Sequence, residues 1–253
     1  MPTPIDYSQF ADRYDALVRF EGDIAFFMTE AGRATGEVVD LMCGTGRVAV
    51  PLLAAAIPVT CVDRSPDMLG VLRAKLARRG LEARVVEADV CALPLAPRFS
   101  LAIISFNSFA ELVTTADQQA ALASISRCVR PEGRFICTLH NPTVRLKDMD
   151  DTWRVRARVP DPEGRGELTL RVRETYDLKT RIVSGTQAFV TIGHDGAESQ
   201  REVDFRFSAL DRASFEGMAQ AAGFRVEELY GDYSRAVFMS DESPFMIWVM
   251  SKE

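Results

Sequence analysis

The chain has 253 residues, of which 47% are hydrophobic and 26% are charged, and its formal net charge at pH 7 is −6. This composition predicts one large domain, or one domain with a sizeable insertion, and the acidic balance argues against a nucleic-acid partner because phosphate binding normally needs a basic surface. The sequence has no apolar run near the roughly 20 residues that span a bilayer and no signal-peptide pattern, so we expect a cytoplasmic protein without a membrane partner.

Between residues 38 and 139, short strand-like runs alternate with helix-like segments. The strand-like runs are EVVDLM, PVTCVD, ARVVEAD, FSLAIISFN and GRFICTLH. The segments between them include RVAVPLLAAA, SPDMLGVLRAKLARRG and TADQQAALASISRCV. This alternation predicts parallel strands joined by right-handed crossovers.

Several boundaries of these elements carry their own signals. Ser65 can cap a helix whose first residue is Pro66, and Gly80 predicts the end of that helix. The turn residues Pro131-Glu132-Gly133 precede the last of the strand-like runs, so we expect a turn there and a strand from Gly133 onward.

The hydrophobic pattern of the sequence changes after His140. WRVRARV, LTLRVR, RIVSGTQAFVTI and REVDFRF alternate apolar and polar residues, which predicts half-buried antiparallel strands. We expect residues 143–208 to form an inserted antiparallel sheet with one face on the core. LDRASFEGMAQAAGF then predicts a helix ending at Gly223, and RVEELYGDY and PFMIWVMSKE predict two closing strands.

The inserted strands carry a stripe of arginines. One interpretation is an anion-binding surface. The simpler one is a solvated sheet face that is neutralised across strands by Glu174, Glu202 and Asp204. The arginines of the stripe are Arg154, Arg156, Arg158, Arg171 and Arg173.

The glycine-rich turn after the first strand predicts a ligand that approaches the main chain closely. Gly44-Thr45-Gly46 is followed by Ala49 in the third glycine position of a dinucleotide fingerprint, which by itself is weak support for a nucleotide site. Asp40 lies four residues before Gly44, where its carboxylate would repel a pyrophosphate and attract an ammonium group.

Two further acids end the next two strand-like runs. Asp63 can accept hydrogen bonds from both hydroxyls of a ribose, and Asp89 can accept from the exocyclic amine of adenine. Together with Asp40, these acids describe a ligand with an ammonium, a ribose and an adenine but no phosphate. S-adenosylmethionine fits this description, whereas a dinucleotide fits it poorly.

With these motifs, the sequence resembles the class I S-adenosylmethionine-dependent methyltransferases. VVDLMCGTGR, VTCVDRSPDML, VVEADV, LAIISFNSFAEL and CVRPEGRFICTLHNP look like the successive motifs of that family. The inserted sheet is similar to that of small-molecule members such as glycine N-methyltransferase and the deoxysugar amine N-methyltransferases. The resemblance implies a small-molecule methyl acceptor. The sequence leaves the oligomeric state open, with a homodimer as one candidate.

The implied fold is α/β: a Rossmann-like, mostly parallel seven-stranded sheet flanked by helices, with the inserted antiparallel β-sheet as a lid. Residues 1–142 and 209–253 would form the S-adenosylmethionine-binding core. Residues 143–208 would cover the acceptor pocket.

The resemblance also implies contacts with the two parts of the cofactor. Residues that match the positions around the methionine part are Asp40, Gly44, Gly46, Phe106 and Asn107. Residues that match the positions around the ribose and adenine are Asp63, Arg64, Met68, Asp89 and Val90. Tyr14, in FADRYDALV, resembles the N-terminal tyrosine that closes over the cofactor in the sugar-amine enzymes, although a simple packing role on an amphipathic helix is the alternative.

The candidates for chemistry are His140 and Tyr14, with Glu111 and Asn141 behind them. His140 ends the fifth strand-like run, at the rim where open parallel sheets bind ligands, so it is a candidate base or orienting group; a structural rim histidine is the alternative. Glu111 is equally interpretable as an acid at a helix start.

The expected reaction is methyl transfer to a nitrogen or oxygen of a small molecule, more than to carbon. The alternatives are an NAD(P)-dependent oxidoreductase and a non-catalytic S-adenosylmethionine-binding protein. We expect no metal site, because the two histidines lie far apart and no cysteines form a CxxC pair.

Overall fold

The computed structural model describes residues 5–147 and 149–253 and contains two β-sheets. The strands are β1 (Val38–Leu41), β2 (Val59–Asp63), β3 (Arg84–Glu87), β4 (Phe99–Ile104), β5 (Val129–His140), β6 (Arg154–Pro160), β7 (Gly166–Asp177), β8 (Ile182–Gly193), β9 (Glu198–Ser208), β10 (Phe224–Tyr230) and β11 (Phe245–Lys252). The α-helices are α1 (Ala11–Leu17), α2 (Ile24–Gly32), α3 (Ala49–Ala54), α4 (Pro66–Arg79), α5 (Thr115–Cys128), α6 (Pro142–Arg145) and α7 (Arg212–Ala221).

The larger sheet has seven strands in the order β3-β2-β1-β4-β5-β11-β10. Strands β1 to β5 pair in parallel, whereas β11 is antiparallel to both β5 and β10. This arrangement confirms the predicted mostly parallel seven-stranded sheet. The strand order reverses direction between β1 and β4, and such a switch point opens a crevice at the carboxyl ends of the strands.

The most apolar strands, β1 and β4, lie in the centre of the larger sheet, as their composition predicts. Every residue of β1 and of β4 is buried, because helices cover both faces of a parallel sheet and leave no solvated side. The start of α4 is as predicted: the Ser65 side chain accepts a hydrogen bond from the Met68 amide at 3.3 Å, and Pro66 is the first helical residue. Gly80 ends α4 in the left-handed conformation, with φ of 61°.

The turn predicted at Pro131-Glu132-Gly133 lies inside a strand. Strand β5 already begins at Val129, and its pairing with β4 shifts register between Phe99 and Leu101. Glu132 has a φ of 61°, so the turn residues form an irregularity within β5. The local turn chemistry was identified correctly, but the strand begins earlier than predicted.

The four strands β6 to β9 form the second sheet, an antiparallel meander that confirms the predicted insertion. Its buried face packs on residues 5–17, which we call the N-terminal segment. Ile5 pairs with Phe205 in an isolated bridge, and the rings of Phe10 and Phe189 stack with their centroids 4.7 Å apart. The N-terminal segment is therefore built into the lid as well as the core, and the division at residues 142 and 209 stays a prediction.

The arginine stripe has partners within the chain. Arg156 forms an ion pair with Glu174 at 2.9 Å, and the guanidinium groups of Arg171 and Arg173 lie 5.3 and 5.1 Å from the ring centre of Trp153. Of the three acids predicted to neutralise the stripe, Glu174 alone pairs with an arginine in the part of the chain that is described. These contacts favour a paired, solvated face over an anion site.

Membrane insertion by a helix finds no support in the described ranges, where no helix has the length and apolar character needed to cross a bilayer.

Candidate active site

The glycine turn between β1 and α3 is compressed against α4. Gly44 and Gly46 have φ of 55° and 80°, in the left-handed region that favours glycine. A Cβ atom on Gly46 would lie 2.4 Å from Cδ1 of Leu72, and one on Gly44 would lie 3.2 Å from Cε of Met68. The turn therefore needs glycine both for its backbone conformation and for its close packing.

The carboxylate of Asp63 is fastened to this turn at the end of β2. It accepts hydrogen bonds from the Gly44 amide at 2.7 Å and from the Ser65 amide at 2.8 Å, one on each oxygen. Each carboxylate oxygen has a second lone-pair direction left over. Burial raises the pKa of Asp63 above its ordinary value. The arrangement holds an acceptor group rigidly at the opening above the turn.

Around the turn lies a narrow space of about 60 Å³, which we call the glycine-turn cleft. It collects most of the residues predicted to hold the cofactor, and its lining has a carboxylate at the end of β2 and another after β3. The predicted residues that line it are Tyr14, Gly44, Asp63, Arg64, Met68, Asp89, Val90 and Phe106. The donor set fits a ligand with hydroxyl and amine groups.

Three predicted cofactor residues do not line this cleft. Asp40 is 1% exposed, its Oδ2 has no hydrogen-bond partner among the described residues, and burial raises its pKa to about 7. Gly46 packs against α4. Asn107 faces the neighbouring cavity, where its Oδ1 accepts a hydrogen bond from the His140 amide at 2.9 Å. Direct cofactor contact by these three residues stays a prediction.

A second space of about 210 Å³, the sheet cavity, lies between the strand ends and the inserted sheet. Its lining comes from the N-terminal segment, α6, the loop after β4 and the inner face of the second sheet, and most of it is apolar. His140 and Asn107 contribute polar groups at the end of the central sheet. The cavity is thus lined by segments that lie far apart in the sequence, from Ile5 to Ala209.

The two spaces meet at a shared wall, which we call the junction. Its residues line both the cleft and the cavity: Tyr7, Tyr14, Phe106, Ser108 and Glu111. Tyr7 was not predicted as a site residue. Tyr7 lies in a short 3₁₀ helix (Tyr7–Gln9) before α1, so the spacing of an amphipathic α-helix does not identify it; its hydrogen bond to Glu111 does.

Glu111 is the acid of the junction. It is 7% exposed, and its Oε1 accepts a hydrogen bond of 2.6 Å from the Tyr7 hydroxyl. Burial raises the pKa of Glu111 to about 7, and burial likewise raises the pKa of Tyr7 and of Tyr14 above the ordinary tyrosine value. Both tyrosines therefore keep their protons near neutral pH, while Glu111 is poised between its two forms.

His140 lines the sheet cavity but not the glycine-turn cleft. Its ring lines the sheet cavity and stacks on Phe245 with ring centres 5.4 Å apart. His140 is an exposed residue, yet loss of hydration of its ring, assisted by the charge of Arg145, lowers its pKa to about 4. His140 is therefore neutral and weakly basic across the physiological pH range.

Arg47 ties the glycine turn to the segment before α2. Its guanidinium donates to both carboxylate oxygens of Asp23, at 2.5 and 2.7 Å, and to the Phe20 carbonyl at 3.0 Å. The same group lies 4.5 Å from the ring centre of Phe106. Since Asp23 is fully buried, this pair fixes the chain that leads away from the N-terminal segment.

The cleft and cavity occur on a chain that is similar to known methyltransferases. Residues 38–133 match the family model described as a methyltransferase domain. The chain is 34% identical over 140 residues to a demethylmenaquinone methyltransferase of Thermus thermophilus, a match that covers 51% of this chain and 62% of that protein. The chain thus spans about three fifths of the length of this relative.

Two further similarities extend over nearly the whole chain. A dTDP-3-amino-3,4,6-trideoxy-alpha-D-glucopyranose N,N-dimethyltransferase of Streptomyces venezuelae is 26% identical over 239 residues, covering 90% of this chain and 96% of that protein. The crystal structure of an S-adenosylmethionine-dependent methyltransferase from Clostridium acetobutylicum has a TM-score of 0.81 at 17% identity, covering 97% of this chain and 98% of that one.

These matches confirm the resemblance predicted from the sequence. Residues 38–133 are similar to a methyltransferase domain, and the chain shares its fold with an S-adenosylmethionine-dependent methyltransferase of known structure.

Proposed function

We propose that the whole protein is an S-adenosylmethionine-dependent methyltransferase that modifies a nitrogen or oxygen atom of a small molecule. The observation that carries this proposal is the junction, where a cleft built on the glycine turn and its strand-end acids shares a wall with a mostly apolar cavity. Such an arrangement brings two small ligands face to face, which a methyl donor and its acceptor require.

Asp63 would hold the ribose of the cofactor, Asp89 and Val90 would meet the adenine, and the main chain of the glycine turn would face the methionine part. When bound, S-adenosylmethionine supplies a methyl group on a positively charged sulfur, which a nucleophile in line with that bond displaces. The chain contributes position and exclusion of water, effects that account for most of the acceleration in reactions of this kind.

The N-terminal segment and the inserted sheet carry out that exclusion. Tyr7 and Tyr14 lie between the two spaces, and the second sheet closes the cavity from outside. Tyr14 and His140 stay the predicted catalytic residues of the sequence analysis, Tyr14 as a hydroxyl donor at the junction and His140 as an orienting group on the cavity wall. A cytoplasmic location and a homodimer remain predictions as well.

The acceptor atom is the finer part of the proposal. The relatives named above act, by their names, on an aminosugar and on demethylmenaquinone, so the similarity does not choose between acceptors. An ionisable carboxyl at the junction supports an acceptor that loses a proton when it is methylated, such as a hydroxyl group or an amine bound in its ammonium form.

The test is acceptor-dependent consumption of S-adenosylmethionine by the full chain. A panel of small amines, alcohols and phenols is incubated with methyl-labelled S-adenosylmethionine, and labelled product and S-adenosylhomocysteine are measured together. We expect label to appear in nitrogen or oxygen acceptors. Binding of the cofactor without transfer to any acceptor would favour a non-catalytic binding protein, and NAD(P)H-dependent reduction of a carbonyl panel would favour an oxidoreductase.

A further inference from the structure

We propose that Glu111 binds the ammonium group of the methyl acceptor and takes its proton, and that the acceptor is an amine on a largely apolar body without a phosphate. This inference rests on the proposed function, because it assigns a role at the same junction. The role of Glu111 and the choice of an amine both follow from contacts within this chain.

The position of Glu111 is the first step. Among the described residues it is the one acid that lines the sheet cavity, and it also lines the glycine-turn cleft. A group that takes a proton from the atom to be methylated must reach both spaces, because that atom lies between them. His140 lines the cavity alone, so it can touch the body of an acceptor but not the meeting point.

The hydrogen bonds of Glu111 use one of its two carboxylate oxygens and leave the other, Oε2, as a free acceptor. Tyr7 donates to Oε1 at 2.6 Å, whereas within residues 5–147 and 149–253 no side chain or amide donates to Oε2 and no cation forms an ion pair with the carboxylate. Tyr7 thereby fixes the orientation of the carboxyl group. Oε2 is therefore open to a donor from a ligand, and a charge-assisted hydrogen bond from an ammonium group is roughly twice as strong as one from a neutral donor.

The loop that carries Glu111 is held rigid. Phe106 and Asn107 both adopt the left-handed conformation, with φ of 55° and 66°, and turn the chain back directly after β4. The Ser208 hydroxyl of β9 donates to the Ala110 carbonyl at 3.0 Å, and the Gln118 side chain donates to the Leu112 carbonyl at 2.6 Å. Both neighbours of Glu111 in the chain are thus anchored, so the carboxyl group is presented at a fixed place.

The charges of the sheet cavity define the body of the acceptor. Arg145 is the one lysine or arginine in its described lining, and Oε1 of Glu174 already accepts from it at 2.5 Å. Glu174 accepts from Arg156 at 2.9 Å as well. A diphosphate needs unpaired cations, whereas rings such as those of Phe10, Phe189 and Phe207 suit an aliphatic or aromatic body.

The proton step is simple. An alkyl amine has a pKa near 10 and is bound as the ammonium form. One N–H bond breaks, an O–H bond forms on Oε2 of Glu111, and the electron pair stays on nitrogen, which becomes the nucleophile. The pKa of Glu111, about 7, lies closer to that of an amine than an ordinary glutamate does, which lowers the free-energy cost of the transfer.

The test compares two probes that differ in one group, 2-phenylethylamine and the neutral 2-phenylethanol. Isothermal titration at pH 8 measures both in the unmodified full chain, in Glu111→Gln and in the control Glu198→Gln, which removes an exposed carboxylate of the inserted sheet. The amide oxygen of glutamine still accepts from Tyr7. We expect the unmodified protein and Glu198→Gln to bind the amine about 10- to 100-fold more tightly than the alcohol. In Glu111→Gln that preference disappears and the affinity for the alcohol stays unchanged.

A second measurement needs no variant. In the unmodified protein the preference for the amine falls as the pH is lowered from 8 to 5, because Glu111 becomes protonated, while alcohol binding stays constant. The charged and titratable groups that face Glu111 are Tyr7, Tyr14, Asp63 and Arg64.

Four results would overturn the inference: no preference for the amine at pH 8, a preference that survives in Glu111→Gln, a preference that does not fall as the pH is lowered, or displacement of the alcohol by thymidine diphosphate.

Titration with S-adenosylhomocysteine in the same preparations separates failure of this inference from failure of the proposed function. Cofactor binding without amine preference overturns the role of Glu111 alone, and amine preference without cofactor binding overturns the proposed function alone.

Discussion

The hydroxyl of Tyr7 donates a 2.6 Å hydrogen bond to Glu111, a residue 104 positions further along the chain. This contact joins the N-terminal segment to the loop after β4 at the point where the glycine-turn cleft meets the sheet cavity. The position of the N-terminal segment and the orientation of the Glu111 carboxyl group therefore depend on the same contact.

The buried carboxyl of Glu111 makes stability depend on pH in a definite direction. Its pKa is raised from 4.5 to about 7 in the folded protein. Between these values the unfolded chain loses the proton while the folded chain keeps it, so the free energy of unfolding falls as the pH rises and levels off above about pH 7. The expected loss is about 3 kcal/mol.

Glu111→Gln should remove this dependence. Urea denaturation at pH 5 and pH 8 is expected to show the variant gaining stability relative to the unmodified protein at the higher pH, with Glu198→Gln showing no such change. The equally buried Asp40 titrates in the same direction in both proteins, so it cancels in the comparison. Parallel stability profiles of the variant and the unmodified protein would contradict the assignment.

The pair of Arg47 and Asp23 should dominate the stability of the glycine-turn region. Arg47→Met leaves the fully buried Asp23 without its bidentate partner, and breaking such a pair typically costs about 3–5 kcal/mol. Adding Asp23→Leu should recover much of that loss, because the uncompensated charge is gone. Denaturant unfolding of Arg47→Met and of the double variant checks this prediction. A free energy of unfolding for Arg47→Met within about 1 kcal/mol of the unmodified protein would mean that the pair is solvated.

Asp63 should control cofactor affinity. Asp63→Ala removes the acceptor that is anchored by the Gly44 and Ser65 amides, and we expect S-adenosylmethionine binding to weaken by about 1.5–3 kcal/mol, the range for hydrogen bonds to a charged group. Asp67→Ala, an exposed acid in the first turn of α4, serves as the control. Unchanged affinity in a folded Asp63→Ala protein, as judged by its thermal melting, would show that the ribose lies elsewhere.

Sequence patterns predicted the central sheet because short runs rich in apolar and β-branched residues alternate with helix-like segments. Asp63 and Asp89 could be placed at one edge of the sheet for the same reason, since parallel strands end on the same side. The irregularity at Glu132 was missed because its turn residues lie inside a strand whose partner shifts register.

Other parts of the site depend on contacts that no local pattern contains. The hydrogen bond between Tyr7 and Glu111 spans 104 residues, and the burial that raises the pKa of Glu111 likewise depends on tertiary packing. Asp40 is predicted to contact the cofactor, and its near-complete burial could not be derived from the motif alone. Tertiary packing decides each of these features.

The pH dependence of turnover should separate Glu111 from His140. If Glu111 takes the proton, kcat/KM for an amine acceptor rises with pH to a midpoint near the Glu111 pKa of about 7. Glu111→Gln should lose that rise and lower turnover by about 10²–10⁴. His140→Phe should keep the rise, because burial lowers the pKa of His140 to about 4 and the ring is already neutral. Loss of the rise in His140→Phe alone would transfer the role of base to the histidine.

The most direct test of the account is the choice between two cofactors. Equilibrium titration of the full chain with S-adenosylmethionine and, separately, with NADH asks which ligand the glycine turn and the strand-end acids Asp63 and Asp89 accept. We predict saturable one-to-one binding of S-adenosylmethionine that is weakened in Asp63→Ala, and no saturable binding of NADH. Saturable binding of NADH by a protein that leaves S-adenosylmethionine unbound would contradict the account.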